Sequence, residues 1–177
     1  MLKSNDIVLR RLKDNNEDYK LLEKWYQQEE IYTHFEQRKL NLEEIKSKYY
    51  PRTLDNSSIP VYMIECKNIP VGIIQYQSIN NDNKVLYKID SDNCYEIDIF
   101  IGELDYHNKG IGYKAINILC NYLFNEKNAN LLVMCPLKSN INAIKCYKKS
   151  RFKIKDNYIT ENTIGILQEY ILMTKEK

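Results

Sequence analysis

The chain has 177 residues, of which 44% are hydrophobic and 28% charged, and its formal net charge is +2. This length supports one domain with a substantial core and is short for two, so we expect a single domain over residues 1–177. The near-zero net charge argues against a general nucleic-acid-binding protein, which would carry a basic excess.

The sequence shows neither a membrane span nor a secretory signal. Its longest apolar run, Leu131–Cys135, is far shorter than the roughly 20 residues that a membrane span needs, and the first six residues contain no apolar stretch. Five cysteines without CxxC spacing and two histidines favour neither a disulfide framework nor a zinc site. We therefore expect a reduced, cytoplasmic protein without a metal and without a membrane or nucleic-acid partner.

The predicted elements of the first half are a strand, two helices and a strand hairpin. Helical spacing of apolar residues and runs of alternating or continuous apolar residues place them. In chain order they are a strand at Ile7–Leu12, a helix at Tyr19–Gln28, a helix at Leu42–Tyr50 capped by Asn41, and strands at Val61–Cys66 and Val71–Gln77 joined by a turn at 67–70. The polar stretch 80–93 is predicted to be irregular.

The second half alternates strands and helices. Its predicted elements are a strand at Tyr95–Gly102, a helix beginning near Gly110, a buried strand at Leu131–Cys135, a helix at Asn140–Ser150, and strands at Lys153–Tyr158 and Ile166–Thr174. The order is β-αα-βββ-α-β-α-ββ. This order predicts an α/β (α+β) domain in which helices cover a mixed sheet.

A glycine-containing loop precedes the third helix and formally matches the GxGxxG/A dinucleotide fingerprint from Gly110 to Ala115. The fingerprint should follow its strand directly and be followed by an acid about 20 residues on; here about seven residues separate Gly102 from Gly110 and Cys135-Pro136 replaces the acid. A P-loop also fails, because no Gly-Lys-Ser/Thr occurs. A simple turn before a helix remains open, as does an anion site in which unpaired helical N–H groups bind a phosphate-bearing ligand.

A second motif supports the anion site. Residues 140–152, NINAIKCYKKSRF, resemble the N-x-x-A-x-x-x-Y-x-K-x-G-F segment of the GCN5-related N-acetyltransferase superfamily, and His107–Gly112 resembles that superfamily's Q/R-x-x-G-x-G/A pyrophosphate loop. The resemblance implies the GCN5-related acetyltransferase fold, with acetyl-CoA as the cosubstrate and no metal. The residues it implies for acetyl-CoA binding are Phe100, Ile101, Asn108, Lys109, Gly110, Ile111, Gly112, Tyr113, Asn140, Ala143 and Lys149.

Within that superfamily the chain is most similar to the aminoglycoside 6′-N-acetyltransferases, especially the acetyltransferase half of the bifunctional acetyltransferase–phosphotransferase enzymes. The resemblance rests on residues 22–25, 69–72, 98–103, 109–112 and 128–130. Two positions depart from the superfamily pattern. His107 replaces the usual Gln or Arg, and Arg151 replaces a Gly, which costs about 1 kcal/mol if the position needs a positive φ.

Acyl transfer to an amine requires a base, because at pH 7 only about one in a thousand primary aliphatic amines is neutral. Asp98 is the predicted base: it interrupts the apolar alternation of its strand, so partial desolvation should raise its pKa, and the resembling enzymes carry their catalytic Asp in this segment. Tyr147 is the predicted acid for the departing thiolate. Without these roles, Asp98 would be a core or solvent-facing strand residue and Tyr147 a packing residue.

Charges segregate along the chain. Acids without Lys or Arg occupy 89–106, and bases without an acid occupy 145–155. The acidic segment suits a cationic acceptor and the basic one suits phosphates. We expect the 6′-amine of an aminoglycoside as the acceptor, contacted by Trp25, Glu96 and Asp98. A protein N-terminus, a polyamine, a siderophore precursor and a non-enzymatic acetyl-CoA-binding module remain alternatives, and the sequence leaves the oligomeric state open.

Overall fold

The structure, a computed structural model, describes residues 2–4, 6–162 and 164–177. Its strands are β1 (Leu2–Ser4), β2 (Ile7–Arg11), β3 (Val61–Cys66), β4 (Ile69–Ser78), β5 (Cys94–Ile101), β6 (Leu131–Met134), β7 (Lys153–Glu161) and β8 (Leu167–Glu176). Its helices are α1 (Asn16–Tyr26), α2 (Glu29–Tyr32), α3 (Leu42–Thr53), α4 (Asn81–Tyr87), α5 (Ile111–Asn125) and α6 (Ile141–Lys149).

The strands form one sheet in the order β1-β2-β3-β4-β5-β6-β8-β7. Among the pairings between described strands, β5–β6 is parallel and the others are antiparallel. Apolar residues of α5 and α6 pack with one face of the sheet, and those of α1 and α3 pack with the other. The predicted mixed α/β fold is confirmed.

The β3–β4 hairpin has a shorter turn than the predicted 67–70. Lys67 and Asn68 both have left-handed φ angles, 51° and 66°, as in the type I′ turn that matches the twist of a two-residue hairpin. Ile69 and Pro70 already pair with Cys66 and Glu65. The turn therefore contains only two residues, and the prediction of four was wrong.

The short helix α4 lies in the stretch 80–93, which was predicted to be irregular. The Asn80 side chain accepts a hydrogen bond from the Asn83 N–H and caps the helix, and Tyr87 at its end is buried. Asn and Asp have low helix propensity and dominate the first turn of α4, so no apolar periodicity marked the helix. Burial of Tyr87 against the sheet explains why a helix forms here.

Among the helices that the structure describes, four have an asparagine N-cap whose side chain accepts a backbone N–H: Asn15, Asn41, Asn80 and Asn140. Such a cap satisfies one of the unpaired amides of a first helical turn. Helix α5 differs, because its N-cap is Gly110, which has a left-handed φ of 75° and no side chain. The first-turn amides of α5 therefore have no capping side chain.

Strands β5 and β6 separate after a short contact. Their parallel pairing covers Cys94–Glu96 of β5 and Leu131–Val133 of β6. The rest of β5, residues 97–101, pairs with β4, while the chain after β6 turns away at Pro136, whose carbonyl accepts the Ile171 N–H. The result is a wedge-shaped opening in the middle of the sheet.

Helix α6 ends in a Schellman motif at the position where the superfamily has Gly. Arg151 has a φ of 68°, its N–H donates to the Lys148 carbonyl, and the Phe152 N–H donates to the Tyr147 carbonyl, both at 3.0 Å. These two bonds satisfy the last carbonyls of the helix. The position thus requires a left-handed residue, which is the condition under which a residue other than Gly was expected to cost stability.

Replacing Arg151 by Gly is expected to raise the free energy of unfolding by about 0.5–1 kcal/mol, because Gly adopts this φ without a Cβ clash. Urea denaturation at equilibrium measures the change. Arg151→Ala is the matched control, since it removes the same side chain and keeps the Cβ. Equal stabilities of the two variants would contradict the explanation.

Among the described residues, no helix has the length and apolar content that a membrane crossing requires.

Candidate active site

A cleft of about 540 Å³ opens where β5 leaves β6. Its walls come from the α2 segment, β5, the loop before α5, the residues after β6, and α6. The side chains and backbone that line it belong to Glu30, Ile31, His34, Phe35, residues 97–101, 106–108, 110–113, Cys135, Pro136, Asn140, Asn142, Ala143, Lys145, Cys146, Tyr147 and Lys149.

Most residues predicted to bind acetyl-CoA lie on this cleft. Those lining it are Phe100, Ile101, Asn108, Gly110, Ile111, Gly112, Tyr113, Asn140, Ala143 and Lys149. The side chain of Phe100 packs instead into the aromatic cluster under α1, so it is the backbone of Phe100 that lies at the cleft. Lys109 is outside the lining: it is exposed, and its ammonium lies 5.3 Å from the centre of the Tyr106 ring.

The N-terminus of α5 forms the anion-binding end of the cleft. No acid occupies the first turn and no side chain caps it, so the first backbone N–H groups and the positive end of the helix dipole are available to an anion. Lys149 from α6 adds a cation beside this turn, with its ammonium 5.0 Å from the centre of the Tyr113 ring. This arrangement suits the phosphates of a nucleotide-like ligand.

Backbone groups of β5 line the opposite wall. The Gly102 N–H donates to the Val71 carbonyl, so the alternation of hydrogen-bonding directions along a strand directs the backbone groups of Ile99 and Ile101 away from β4 and toward the opening. The Ile101 carbonyl lies 2.6 Å from Nε2 of His107. His107 therefore links the loop before α5 to the end of β5. Its position in the motif did not predict this role.

Asp98 lies midway along this wall and is partly buried. Its Oδ2 accepts a hydrogen bond of 3.0 Å from Nε2 of Gln75, the residue opposite it on β4, and Oε1 of Gln75 accepts one of 2.7 Å from Arg52. Burial raises the pKa of Asp98 above its ordinary value, and the Gln75 hydrogen bond and the charges of Arg52 and Lys48 oppose this increase. Asp98 is thus a carboxylate whose affinity for a proton is strengthened, as a general base requires.

Tyr147 of α6 faces the same cleft and is 8% exposed. Burial is the main cause that raises its pKa far above the ordinary value, and the nearby Asp98 carboxylate contributes, so the hydroxyl stays protonated. Within the part of the chain that the structure describes, no hydrogen bond uses this hydroxyl. It is therefore available to donate a proton to a group in the cleft.

Two predicted acceptor contacts are wrong in this structure. Trp25 is fully buried; its ring lies against Gly102, and its Nε1 donates to Glu103 at 2.9 Å. Glu96 is 8% exposed, and its two carboxylate oxygens accept hydrogen bonds from Tyr87 and Gln77. Neither side chain lines the cleft.

The acidic segment 89–106 does not form one surface. It contains the eight-residue strand β5, so acids before and after this strand lie about 25 Å apart. Glu103, beyond the end of β5, forms an ion pair with Lys24 at 2.6 Å, and Asp92 lies 3.6 Å from Lys84. The expectation of a single acidic patch was therefore wrong, and Asp98 is the member of the segment that faces the cleft.

Sequence reasoning missed the α2 segment and its charge. Glu30, His34 and Phe35 line the cleft on the side of Asp98, while Lys145 and Lys149 line it on the side of α6. The two sides thus differ in charge. The α2 segment could not be found from the sequence, because α2 has only four residues and carries no motif.

In the described ranges, no group of three or more His, Cys, Asp or Glu side chains is placed to hold a metal ion.

Comparison with known proteins places these features in a family. A model of the family described as "Acetyltransferase (GNAT) domain" matches residues 14–158. The aminoglycoside N(6′)-acetyltransferase type 1 of Klebsiella pneumoniae is 24% identical over 176 residues, which cover 98% of this chain and 86% of that protein.

Solved structures share the fold. The aminoglycoside acetyltransferase AAC(6′)-Ib in complex with coenzyme A and kanamycin superimposes with a TM-score of 0.79 at 20% identity, over 97% of this chain and 95% of that one. The spermidine N-acetyltransferase of Vibrio cholerae in complex with CoA and spermine gives a TM-score of 0.78 at 19% identity, over 98% and 96% of the two chains.

Proposed function

Since the chain belongs to the GNAT acetyltransferase family, we propose that it transfers the acetyl group of acetyl-CoA to a primary amine of a cationic acceptor, with the 6′-amine of an aminoglycoside as the first candidate. One observation carries the proposal: the opening between β5 and β6 brings Asp98, Tyr147 and the uncapped N-terminus of α5 to a single cleft. The curated relative named as an aminoglycoside N(6′)-acetyltransferase, which aligns along 98% of the chain, supports the choice of acceptor.

The residues that line the cleft fit acetyl-CoA. The first turn of α5, from Ile111, offers backbone N–H groups to the pyrophosphate, and Lys145 and Lys149 add positive charge to the cleft. The backbone groups of Ile99 and the N–H of Ile101 lie along the opposite wall, where an extended pantetheine chain can pair with them as an added strand would. Acetyl-CoA supplies the thioester carbonyl that the acceptor amine attacks.

The two titratable side chains have separate roles. Asp98 takes the proton of the amine as nitrogen attacks the carbonyl, so that the product is a neutral amide. Tyr147 donates its hydroxyl proton to the departing thiolate, and its raised pKa keeps that proton in place until charge develops on sulfur. The N–H groups of β5 in the opening stabilise the negative charge that grows on the carbonyl oxygen.

The acceptor enters beside Asp98, on the side of the cleft that Glu30 and Phe35 line. Carboxylates at this mouth attract a cation, and the aromatic ring offers a face for the acceptor to pack on. The fold shared with the spermidine N-acetyltransferase complex makes a polyamine the second candidate acceptor.

A panel assay tests the proposal. The protein is mixed with acetyl-CoA and, separately, with kanamycin, another 6′-amino aminoglycoside, spermidine, spermine or a peptide with a free N-terminus, and released thiol is followed. We expect turnover with an aminoglycoside, with mass spectrometry locating the acetyl group on the 6′ nitrogen. Turnover with spermidine alone would replace the acceptor, and failure with every amine while acetyl-CoA still binds would overturn the acetyltransferase proposal.

Replacing Tyr147 by Phe is expected to lower kcat about 100-fold, because a positioned proton donor contributes at least this factor. The KM for the amine should change little, since the lost hydroxyl acts on the leaving group. Steady-state thiol release measures both constants. Tyr50→Phe, at a half-exposed tyrosine of α3, is the control. A kcat within about twofold of the unmodified protein would make Tyr147 a packing residue.

A further inference from the structure

Two carboxylates lie on one face of β5. Glu96 and Asp98 are two residues apart, and side chains with this spacing point to the same side of a strand. Both are withdrawn from solvent: Glu96 is 8% exposed and Asp98 is partly buried. The proposed function uses only Asp98, which leaves the second carboxylate without an assigned role.

The surroundings of Glu96 contain donors and a like charge. Tyr87 of α4 donates to Oε1 at 3.2 Å and Gln77 of β4 donates to Oε2 at 3.3 Å. Cys135, which follows β6, and Tyr158 of β7 complete the wall. Glu96 therefore faces Asp98 and neutral side chains, and none of these neighbours is a cation.

The surroundings of Asp98 are different. Gln75 donates to it from β4, the cations Arg52 and Lys48 of α3 act on it, and the carboxylate of Glu36 opposes them. Lys48 is itself ion-paired with Glu36. The stabilising positive charge thus reaches Asp98 and not Glu96.

We propose that Glu96 is a positioning residue that holds the single proton of the Glu96–Asp98 pair, so that Asp98 alone presents a carboxylate to the acceptor amine. Two nearby carboxylates in a poorly solvated site do not both ionise readily, and the cations decide which member remains charged. This inference rests on the proposed function of Asp98 as the base. Burial and the charge of Asp98 raise the pKa of Glu96 to about 7 although the hydrogen bonds from Gln77 and Tyr87 lower it, and this direction agrees with the proposed position of the proton.

The arrangement makes the strength of the base depend on pH. When Glu96 ionises, its negative charge raises the proton affinity of Asp98. The base therefore becomes stronger over the same pH range in which more of the amine becomes neutral.

Glu96→Gln tests the inference, because Gln has the shape of the protonated acid and cannot ionise. The ratio of kcat/KM of the unmodified protein to that of the variant is expected to rise about fivefold between pH 6 and 8.5, as the ionised Glu96 strengthens the base. The exposed acid Asp156 supplies the control: for Asp156→Asn the ratio should stay constant over this range. A ratio for Glu96→Gln that does not change with pH would reduce Glu96 to a structural residue and overturn the inference.

A second measurement does not depend on turnover. Carbon-13 NMR of the side-chain carboxyl groups, with Glu96→Gln assigning the signal, should show Glu96 titrating near neutral pH, and Asp98→Asn should move this titration to lower pH by removing the like charge. Titration of Glu96 in the ordinary range of a glutamate, or no shift in Asp98→Asn, would overturn the inference. If the NMR result holds and no amine is acetylated, the carboxyl pair stands and the proposed function fails.

The pH dependence of thermal unfolding provides a third test of which carboxyl group holds the proton. Because the folded pKa of Glu96 is about 7 against an ordinary value of 4.5, the unmodified protein loses stability as pH rises from about 4.5 to 7. Glu96→Gln lacks this loss. The Tm of the variant relative to the unmodified protein should therefore rise between pH 5 and 7 and stay level above pH 7; a constant difference would contradict the placement of the proton.

Discussion

Asp98→Asn is expected to lower kcat/KM about 10²- to 10⁴-fold, the range that a positioned general base contributes. Asn keeps the size of the side chain and can still bond to Gln75, but its amide cannot take the amine proton. The loss should fall mainly on kcat, because the acceptor still fits beside β5. Steady-state thiol release with the best acceptor of the panel measures both constants.

Asp98→Asn should fold, so that a loss of activity can be assigned to the chemical step and not to a loss of structure. Burial disfavours the charged form of Asp98, so a neutral side chain at this position should keep or raise the Tm. Asp156→Asn, which removes an exposed carboxylate paired with Lys88, serves as the matched control with activity close to that of the unmodified protein. Undiminished turnover of Asp98→Asn would remove Asp98 as the base and leave the family assignment intact.

The second large effect concerns stability. Trp25→Ala is expected to lower the free energy of unfolding by about 3–5 kcal/mol, as truncation of a buried aromatic residue does. The Trp25 ring meets that of Phe100 edge-to-face, with 6.0 Å between the ring centres, and its Nε1 donates to Glu103. Equilibrium urea unfolding measures the loss. Leu54→Ala, at a residue 44% exposed, should stay within about 0.5 kcal/mol.

Gly102 supplies an internal check on this packing. A Cβ at Gly102 would lie 2.2 Å from atoms of the Trp25 ring, so Gly102→Ala should destabilise the unmodified protein and cost less in Trp25→Ala, where the ring is gone. A double-mutant cycle measures this coupling. Two outcomes would contradict a stabilising role of the indole at the end of β5. These are additive losses in the free energy of unfolding, or a loss below about 1 kcal/mol for Trp25→Ala.

Local signals in the sequence predicted most of the fold. Asn41 and Asn140 mark helix starts that the structure confirms, and the apolar stripe of α5 gave its position. Helix α4 was not predicted, because its first turn is rich in Asn and Asp. Its stability comes from burial of Tyr87 rather than from helix propensity.

The site was harder to predict, because its residues come together through packing. The motif of α6 and the glycine loop predicted many of the residues that line the cleft. The hydrogen bond from Gln75 to Asp98 depends on the β4–β5 register, which places the two residues opposite each other, and the charges of Lys48 and Arg52 reach Asp98 from α3. Charge counts along the chain predicted an acidic surface. That prediction failed because successive side chains of a strand lie on opposite faces of the sheet and the two ends of a strand lie far apart.

The short contact between β5 and β6 also bears on how a bound ligand joins the two parts of the sheet. Strands β1–β5 and strands β6–β8 meet along three paired residues of each strand, a seam with few hydrogen bonds to hold it. A ligand that lies in the wedge touches both halves and takes the place of the missing strand pairing. Bound acetyl-CoA would therefore connect the two halves of the sheet at the point where their strand pairing ends.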